Sequence, residues 1–401
     1  MTERVAATDL PVEASVEDVR RALAGPHRAA VLQAPPGAGK TTVVPLRLLD
    51  ELWLAGTDHD RIVVLEPRRL ATRAAARRMA DLLGEEVGGT VGYRTRDDQR
   101  TSRATRIEVV TEGILTRRLQ HDPSLPGTGL VIFDELHERS LQADLALALA
   151  LDARRSLRPD LRVLAMSATL QATRVGALIG DGTPVIRSEG REHPIDVRWS
   201  PPPRGQRPVD AAAGAIAQTL RREPIGDVLV FLPGAGEIAR VQRALEPLLA
   251  DTNTVDVRPL FGALSAAAQD EALRPSPAGR RRVVLATDIA ETSLTVEGVR
   301  IVVDAGLARS PRYDPRTGLT RLHTAPASKA SADQRAGRAG RTGPGVAIRL
   351  WSQLEHAARR AHAEPEISVV DLAGLALDLA VWGADPASLA FLDPPPARAM
   401  A

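Results

Sequence analysis

At 401 residues the chain is too long for one ordinary hydrophobic core and suits two or three domains. Its composition, 44% hydrophobic and 25% charged, reads as globular, its net charge of +2 gives no general reason to bind a polyanion, and the lack of cysteine excludes disulfides and thiolate metal sites. Only Lys40 and Lys329 are lysines among 52 basic residues, and an aromatic share of 2% leaves Leu, Val, Ile and Ala to build the cores and few rings to stack on bases.

Met1–Pro11 lacks the apolar region of a signal peptide. Short β-rich runs follow at Val31-Leu32, Ile62–Leu65, Ile107–Val110, Leu130–Phe133 and Val163–Met166, alternating with helical stretches such as Leu70–Leu83 and Leu141–Arg154. Apolar strands alternating with helices predict a parallel α/β sheet covered on both faces. The longest apolar run, Ala143–Leu151, falls far short of a membrane span, so a cytoplasmic chain without a membrane partner is expected. After a Pro-rich break at Ser200–Pro203 the pattern repeats, with strands at Val228–Leu232, Val255–Pro259, Val283–Ala286, Ile301–Val303 and Val346–Leu350. The boundary is placed near residues 185–205. Residues 354–401 read as helical and too short to bury a core of their own.

Three stretches carry chemistry. Ala34–Thr42, containing Pro36, Gly37, Ala38, Gly39, Lys40, Thr41 and Thr42, follows a strand and precedes an apolar helical stretch. Backbone amides there would cradle phosphates, Lys40 would reach the β/γ-phosphates and Thr41 would ligate Mg²⁺, as in a P-loop. Ala34 stands where the usual pattern has its first glycine, and a plain Gly/Pro turn is the bland alternative. Leu130–Phe133 ends in Asp134 and Glu135, which suits a metal-shell carboxylate and a residue that polarises the attacking water, with Glu135 also counted toward the metal site. Its alternative is an acidic cap for the helix beginning near Ser140. Asp333–Arg341 spaces Arg335, Arg338 and Arg341 three apart among Gly and Ala, either as arginine fingers for a phosphoryl group or as a solvated basic face.

Through these stretches the chain resembles the superfamily 2 helicases of the DEAH/RHA type, and within them the bacterial HrpB branch, over about Leu23–Pro396. Glu66–Ala71 resembles motif Ia, Thr111–Leu115 motif Ib, Asp134–His137 the DEAH motif with Leu for Ala, Ser167–Thr169 motif III, Leu229–Gly234 motif IV, Ala286–Thr295 motif V and Gln334–Arg341 motif VI. The resemblance implies two tandem RecA-like P-loop NTPase domains, 1–190 and 191–353, and the beginning of a winged-helix segment over 354–401. It implies that Lys40, Thr41, Asp134, Glu135, Gln334, Arg338 and Arg341 line an ATP and Mg²⁺ site at an inter-domain cleft. It further implies that His137 and Ser167–Thr169 couple this site to movement, that Ser293 and Thr295 sense nucleotide, and that Arg68, Arg69, Thr111, Gly113 and Thr287 touch a nucleic-acid backbone without reading sequence. The activity implied is ATP-driven translocation toward the 5′ end of single-stranded RNA or DNA bearing a 3′ tail. The turn Asp314–Gly318 predicts a hairpin between motifs V and VI, where such helicases carry one thought to help separate strands.

The sequence departs from the family at two places. Asp288 stands where motif V usually has Asn, and a carboxylate there would repel phosphate. No upstream glutamine motif for adenine is found, so loose nucleotide selectivity is expected. The family pattern continues into further C-terminal modules beyond Ala401, so a truncated motor is expected, one that binds single strands weakly and salt-sensitively and unwinds poorly. The rival readings are a nucleic-acid-stimulated ATPase that does not unwind and a scaffold switched by nucleotide.

Overall fold

The computed structural model describes residues 8–168, 171–190, 193–250, 254–292, 294, 296–314 and 316–400. The chain forms two compact units, one of Met1–Gly190 with residues 313–320 and 364–401, the other of Arg191–Arg312 with Arg321–Ala363.

The first unit runs α1 (Glu13–Ala24), β1 (Ala29–Gln33), α2 (Lys40–Arg47), β2 (Arg61–Leu65), α3 (Arg69–Leu83), β3 (Val91–Arg94), β4 (Gln99–Arg100), β5 (Ile107–Val110), α4 (Glu112–His121), β6 (Thr128–Phe133), α5 (Leu141–Ser156), β7 (Arg162–Ser167), α6 (Ala172–Ile179) and β8 (Val185–Arg187). Its sheet has the order β4-β3-β5-β2-β6-β7-β1-β8, parallel except at β4. Side chains alternate across a strand, so each apolar run feeds both faces. Val63, Leu65, Val131, Phe133, Val163 and Ala165 pack toward α4 and α5, while Ile62, Val64, Leu130, Ile132, Leu164 and Met166 pack toward α2 and α3. The run Ala143–Leu151, apolar except for Asp144, is the buried centre of α5, and among the described residues no helix is long and apolar enough to cross a membrane.

The second unit contributes β9 (Ile195–Trp199), α7 (Pro208–Arg222), β10 (Asp227–Phe231), α8 (Ala235–Leu245), β11 (Val255–Leu260), α9 (Ala266–Leu273), β12 (Arg281–Ala286), β13 (Val299–Asp304), β14 (Leu307–Asp314), β15 (Leu319–Pro326), α10 (Lys329–Gly337), β16 (Gly345–Arg349) and α11 (Gln353–Ala357). Its sheet is parallel throughout in the order β11-β12-β10-β13-β16-β9. Val228, Val230, Val283, Leu285, Ile301 and Val303 pack with Ile216 of α7 and Val241 of α8. Strands β14 and β15 pair with each other where the sequence predicts a hairpin.

Residues 364–401 build no core of their own. The helix α12 (Ala373–Trp382) and its flanks send Ile367, Leu372, Leu375, Leu379, Leu389 and Phe391 into the same cluster as Leu115 and Leu119 of α4 and Leu145 of α5. Polar bonds fasten the segment as well, from Gln120 Nε2 to Asp378 Oδ1 at 2.9 Å and from Trp382 Nε1 to Asp152 Oδ2 at 2.9 Å.

Candidate nucleotide site

The loop between β1 and α2 crosses the carboxyl ends of parallel strands, where α/β sheets bind ligands. Gly37 and Gly39 take φ of 86° and 94°, a region that costs a side chain energy, and α2 starts at Lys40. A Cβ on Gly39 would lie 2.9 Å from Leu10 Cδ1 and 3.3 Å from Val12 Cγ1, so the residues before α1 press against the loop. Val12 donates its N–H to Ala38 O at 3.1 Å, and Val43 donates to Gly39 O at 2.8 Å. Pro36 and Thr42 are half-buried, Gly37 is exposed and Ala38 is buried. The first turn of α2 thus presents backbone amides and a helix N-terminus, a favourable place for an anion.

The two acidic residues at the end of β6 meet this turn. Lys40 Nζ donates to Glu135 Oε1 at 2.8 Å, with both side chains under 5% exposed. Thr41 Oγ1 donates to Asp134 Oδ2. Burial pulls the Lys40 ammonium down, but Glu135, Asp134 and Glu66 outweigh it and hold its pKa above the ordinary value. Burial also pushes Asp134 up to about 6 against the pull of Lys40. His137 Nδ1 lies 3.3 Å from Glu135 Oε2 and 3.4 Å from the N–H of Ala168. Glu135 and Arg139 bracket the 3-10 turn Leu136–Glu138 with φ of 53° and 54°. Such a conformation costs a non-glycine residue about 1–2 kcal/mol, so the bonds around this turn must hold it.

A hydroxyl beside two carboxylates is a hard-oxygen set that fits Mg²⁺. Among the described residues no group of three His, Cys, Asp or Glu could cage a metal, but Mg²⁺ on phosphates needs only one or two protein ligands.

Of the residues assigned to nucleic acid, Arg68 is held by Glu138 (Nε to Oε2, 3.2 Å) and Arg69 reaches Asp97 from an exposed position at 2.5 Å. Thr111 is the N-terminal cap position of α4, and a Cβ on Gly113 would meet nothing within 4 Å. Thr287 is half-buried at the end of β12 and is followed by an exposed Asp288.

Glu112, between Thr111 and Gly113, accepts a bond from Ser140 Oγ. Burial, opposed by that bond and aided by Glu138, Glu366 and Asp144, pushes its carboxyl up to about 8. The folded chain therefore keeps this proton where the unfolded chain has lost it. The stability it contributes is complete below the ordinary 4.5 and is lost as pH rises through about 8. Replacing Glu112 by Gln keeps the acceptor for Ser140 and removes the titration. Thermal unfolding at pH 5 and pH 8.5 should then fall less with pH than in the parent chain, and equal slopes would refute the buried proton.

In the second unit the motif VI arginines are mostly enclosed. Helix α10 ends at Gly337, and Arg338–Gly340 continues as a 3-10 turn. Arg335, 1% exposed, donates to Glu291 Oε2 at 2.8 Å and Asp304 Oδ1 at 3.0 Å and lies over the Phe231 ring. Arg338, 3% exposed, donates to the carbonyls of Glu291, Thr292 and Leu294. These two arginines do not form a solvated face. Gln334 and Arg341 are half-buried. Ser293, Thr295 and Thr169 lie outside the described residues.

Comparison with known proteins decides the family. Residues 17–177 match the DEAD/DEAH box helicase model and residues 212–343 the helicase conserved C-terminal domain. Over 391 residues the chain is 51% identical to the ATP-dependent RNA helicase HrpB of Escherichia coli K12, covering 97% of this chain and 47% of that protein. The chain is a DEAH/RHA-type member of the DEAD/DEAH box helicase family. The mouse protein named probable ATP-dependent RNA helicase DHX34 is 38% identical over 92% of this chain and 33% of its own length. The crystal structure of the E. coli DEAH/RHA helicase HrpB superposes with a TM-score of 0.89 at 51% identity, over 97% of this chain and 48% of that one. The chain thus spans about half the length of its bacterial relative or less of the mouse one, and this membership carries the RecA-like fold of both helicase domains.

Proposed function

We propose that the chain is the ATP-hydrolysing motor of an RNA helicase, acting with Mg²⁺ in the cytoplasm and moving on single strands from a 3′ tail toward the 5′ end. The observation that carries this reading is the meeting of Lys40 with Glu135 and of Thr41 with Asp134, one behind the other at the carboxyl edge of a parallel sheet. Lys40 and the amides of Gly37–Thr42 bind phosphate. Thr41 and Asp134 hold the metal, which when bound neutralises phosphate charge. Glu135 orients and deprotonates the attacking water, and His137 links it to the strand ending at Ser167. Ser293 and Thr295 sense nucleotide from motif V, while Gln334 and Arg341 serve turnover. Arg68, Arg69, Thr111, Gly113 and Thr287 touch phosphates of the strand.

Within motif VI the bonding of Arg338 separates two outcomes. Its donors close the Glu291–Leu294 loop, so Arg338→Ala should lower the melting temperature, whereas Arg341→Ala should cost about 10³-fold in turnover. A parent-like melting temperature for Arg338→Ala would refute its structural role.

The test of function is ATPase activity with and without matched RNA and DNA strands, beside displacement of a duplex with a 3′ tail at moderate salt. RNA-stimulated turnover with displacement supports a helicase. Stimulated turnover without displacement supports an ATPase that does not unwind, and nucleotide binding without turnover supports a switch.

A further inference from the structure

The turn that carries Glu135 and His137 is tied to the far end of the chain. Arg139, whose side chain is 5% exposed, closes this turn from the left-handed region and anchors it on two carboxylates. Its Nη2 donates to Asp144 Oδ2 at 2.9 Å, at the start of α5. Its Nη1 donates to Asp393 Oδ2 at 2.6 Å, 254 residues away. The same terminal segment grips the backbone on either side. Glu366 donates its N–H to Arg139 O at 3.1 Å, and Glu366 Oε2 accepts from Leu141 N at 2.9 Å. On the other side of Asp393, Oδ1 accepts from Arg174 at 3.1 Å, which fixes the carboxylate's orientation.

Asp144 alone would neutralise Arg139, but it lies on the helix that the turn feeds and moves with it. Asp393 is a reference point outside the loop. A buried guanidinium bonded to both can take only one position, and the left-handed Arg139 then fixes where Leu136–Glu138 begins to fold back toward Glu135. Within the turn, backbone bonds run from Glu138 N–H to Glu135 O at 2.9 Å and from Arg139 N–H to Leu136 O at 3.3 Å, while side-chain bonds tie Glu135 to Lys40, His137 to Ala168 and Glu138 to Arg68.

We infer that Asp393, acting through Arg139, is a positioning residue for the turn that aims Glu135 and His137. The inference rests on the hydrolysis reading for its effect on rate, but not for its effect on the turn. Residues 364–401 thereby become part of the first unit's chemistry, although none of them touches nucleotide in this reading.

The experiment compares Asp393→Asn, Asp393→Glu and Trp382→Phe in the full chain. Trp382→Phe loosens the same terminal segment through its bond to Asp152, at a point removed from the turn. Asp393→Asn is expected to lower kcat by about 10-fold or more, since small misplacements of catalytic groups are costly, while KM for ATP stays within about twofold. Asp393→Glu should recover part of the loss, and Trp382→Phe should keep parental turnover. Hydrogen exchange should be faster over Leu136–Ser140 in Asp393→Asn and unchanged there in Trp382→Phe. Unaltered kcat in a folded Asp393→Asn, a loss confined to KM, or equal losses in Asp393→Asn and Trp382→Phe would overturn the assignment. If the parent chain hydrolyses no nucleotide, the hydrolysis reading fails and exchange alone decides. Faster exchange over the turn in Asp393→Asn then sustains the positioning role, and identical exchange removes it.

Discussion

Lys40→Ala should abolish nucleotide binding, while Glu135→Gln should bind nucleotide as the parent does and lose at least about 10²-fold in turnover, the range of a general base. The two residues touch each other at 2.8 Å, yet their substitution separates two functions. On the proposed reading, Lys40 meets phosphate charge in ground and transition states alike, so its loss is a loss of affinity. On the same reading Glu135 meets the water, whose proton matters only as the bond to phosphorus changes. The buried pair adds a second signature. Removing the ammonium leaves Asp134 and Glu135 close together without their nearest counter-charge, so Lys40→Ala should also unfold at a lower temperature. Glu135→Gln keeps a hydrogen-bond acceptor for Lys40 and should lose less stability. Fluorescent-nucleotide titration, steady-state hydrolysis and thermal melts on the two variants give all three readouts. Parent-like turnover in Glu135→Gln would remove Glu135 from the role of base.

The largest effect on folding is expected in the second unit, at Asp304. Its carboxylate, 2% exposed at the end of β13, accepts from Arg335 Nη1 at 3.0 Å and from the N–H of Gly306 at 2.7 Å. Arg335 is itself enclosed, and although burial opposes its charge, Asp304 and Glu291 hold its pKa above the ordinary value. Asp304→Ala leaves that guanidinium buried with one carboxylate, Glu291, beside the Leu307 carbonyl and the Phe231 ring, and breaking a buried pair in this way costs about 3–5 kcal/mol. Asp304→Asn keeps the acceptor for Gly306 and should fall between the two. Chemical denaturation followed by circular dichroism measures both, and a cost below about 1 kcal/mol for Asp304→Ala would show that Glu291 suffices.

The interior of both sheets was legible because parallel strands covered on two faces must be apolar throughout. Ile62–Leu65 and Leu130–Phe133 could hardly be anything else. Of the strands without a clear apolar run, β4, β8 and β9 lie at sheet edges and β3 stands next to one. In β9 three of five residues are exposed. That the Gly-rich loop and the acidic strand end belong together was legible because the proposed phosphate and metal chemistry would demand particular residues at short spacing, and the structure brings Lys40 to Glu135 and Thr41 to Asp134. Motif VI was legible as a cluster, but spacing could not show that Arg335 and Arg338 are enclosed by hydrogen-bond partners 28 to 47 residues earlier in the chain. Asp393 and Glu366 carried no local signal. Their meaning lies in a fold that brings them to Arg139, and nothing in the run toward Pro394–Pro396 announces it.

The scarcity of lysine makes the chain an unusual substrate for amine chemistry. Lys40 is 4% exposed, and its nitrogen is both bonded to Glu135 and held protonated beyond the ordinary lysine range, so its lone pair is withheld from an acylating reagent twice over. Lys329, half-buried at the first turn of α10, is the other side-chain amine in the sequence. Among the side chains, an activated ester at mildly alkaline pH should therefore place a dye on Lys329 while sparing Lys40. That gives one side-chain label position in the second unit without a single engineered cysteine.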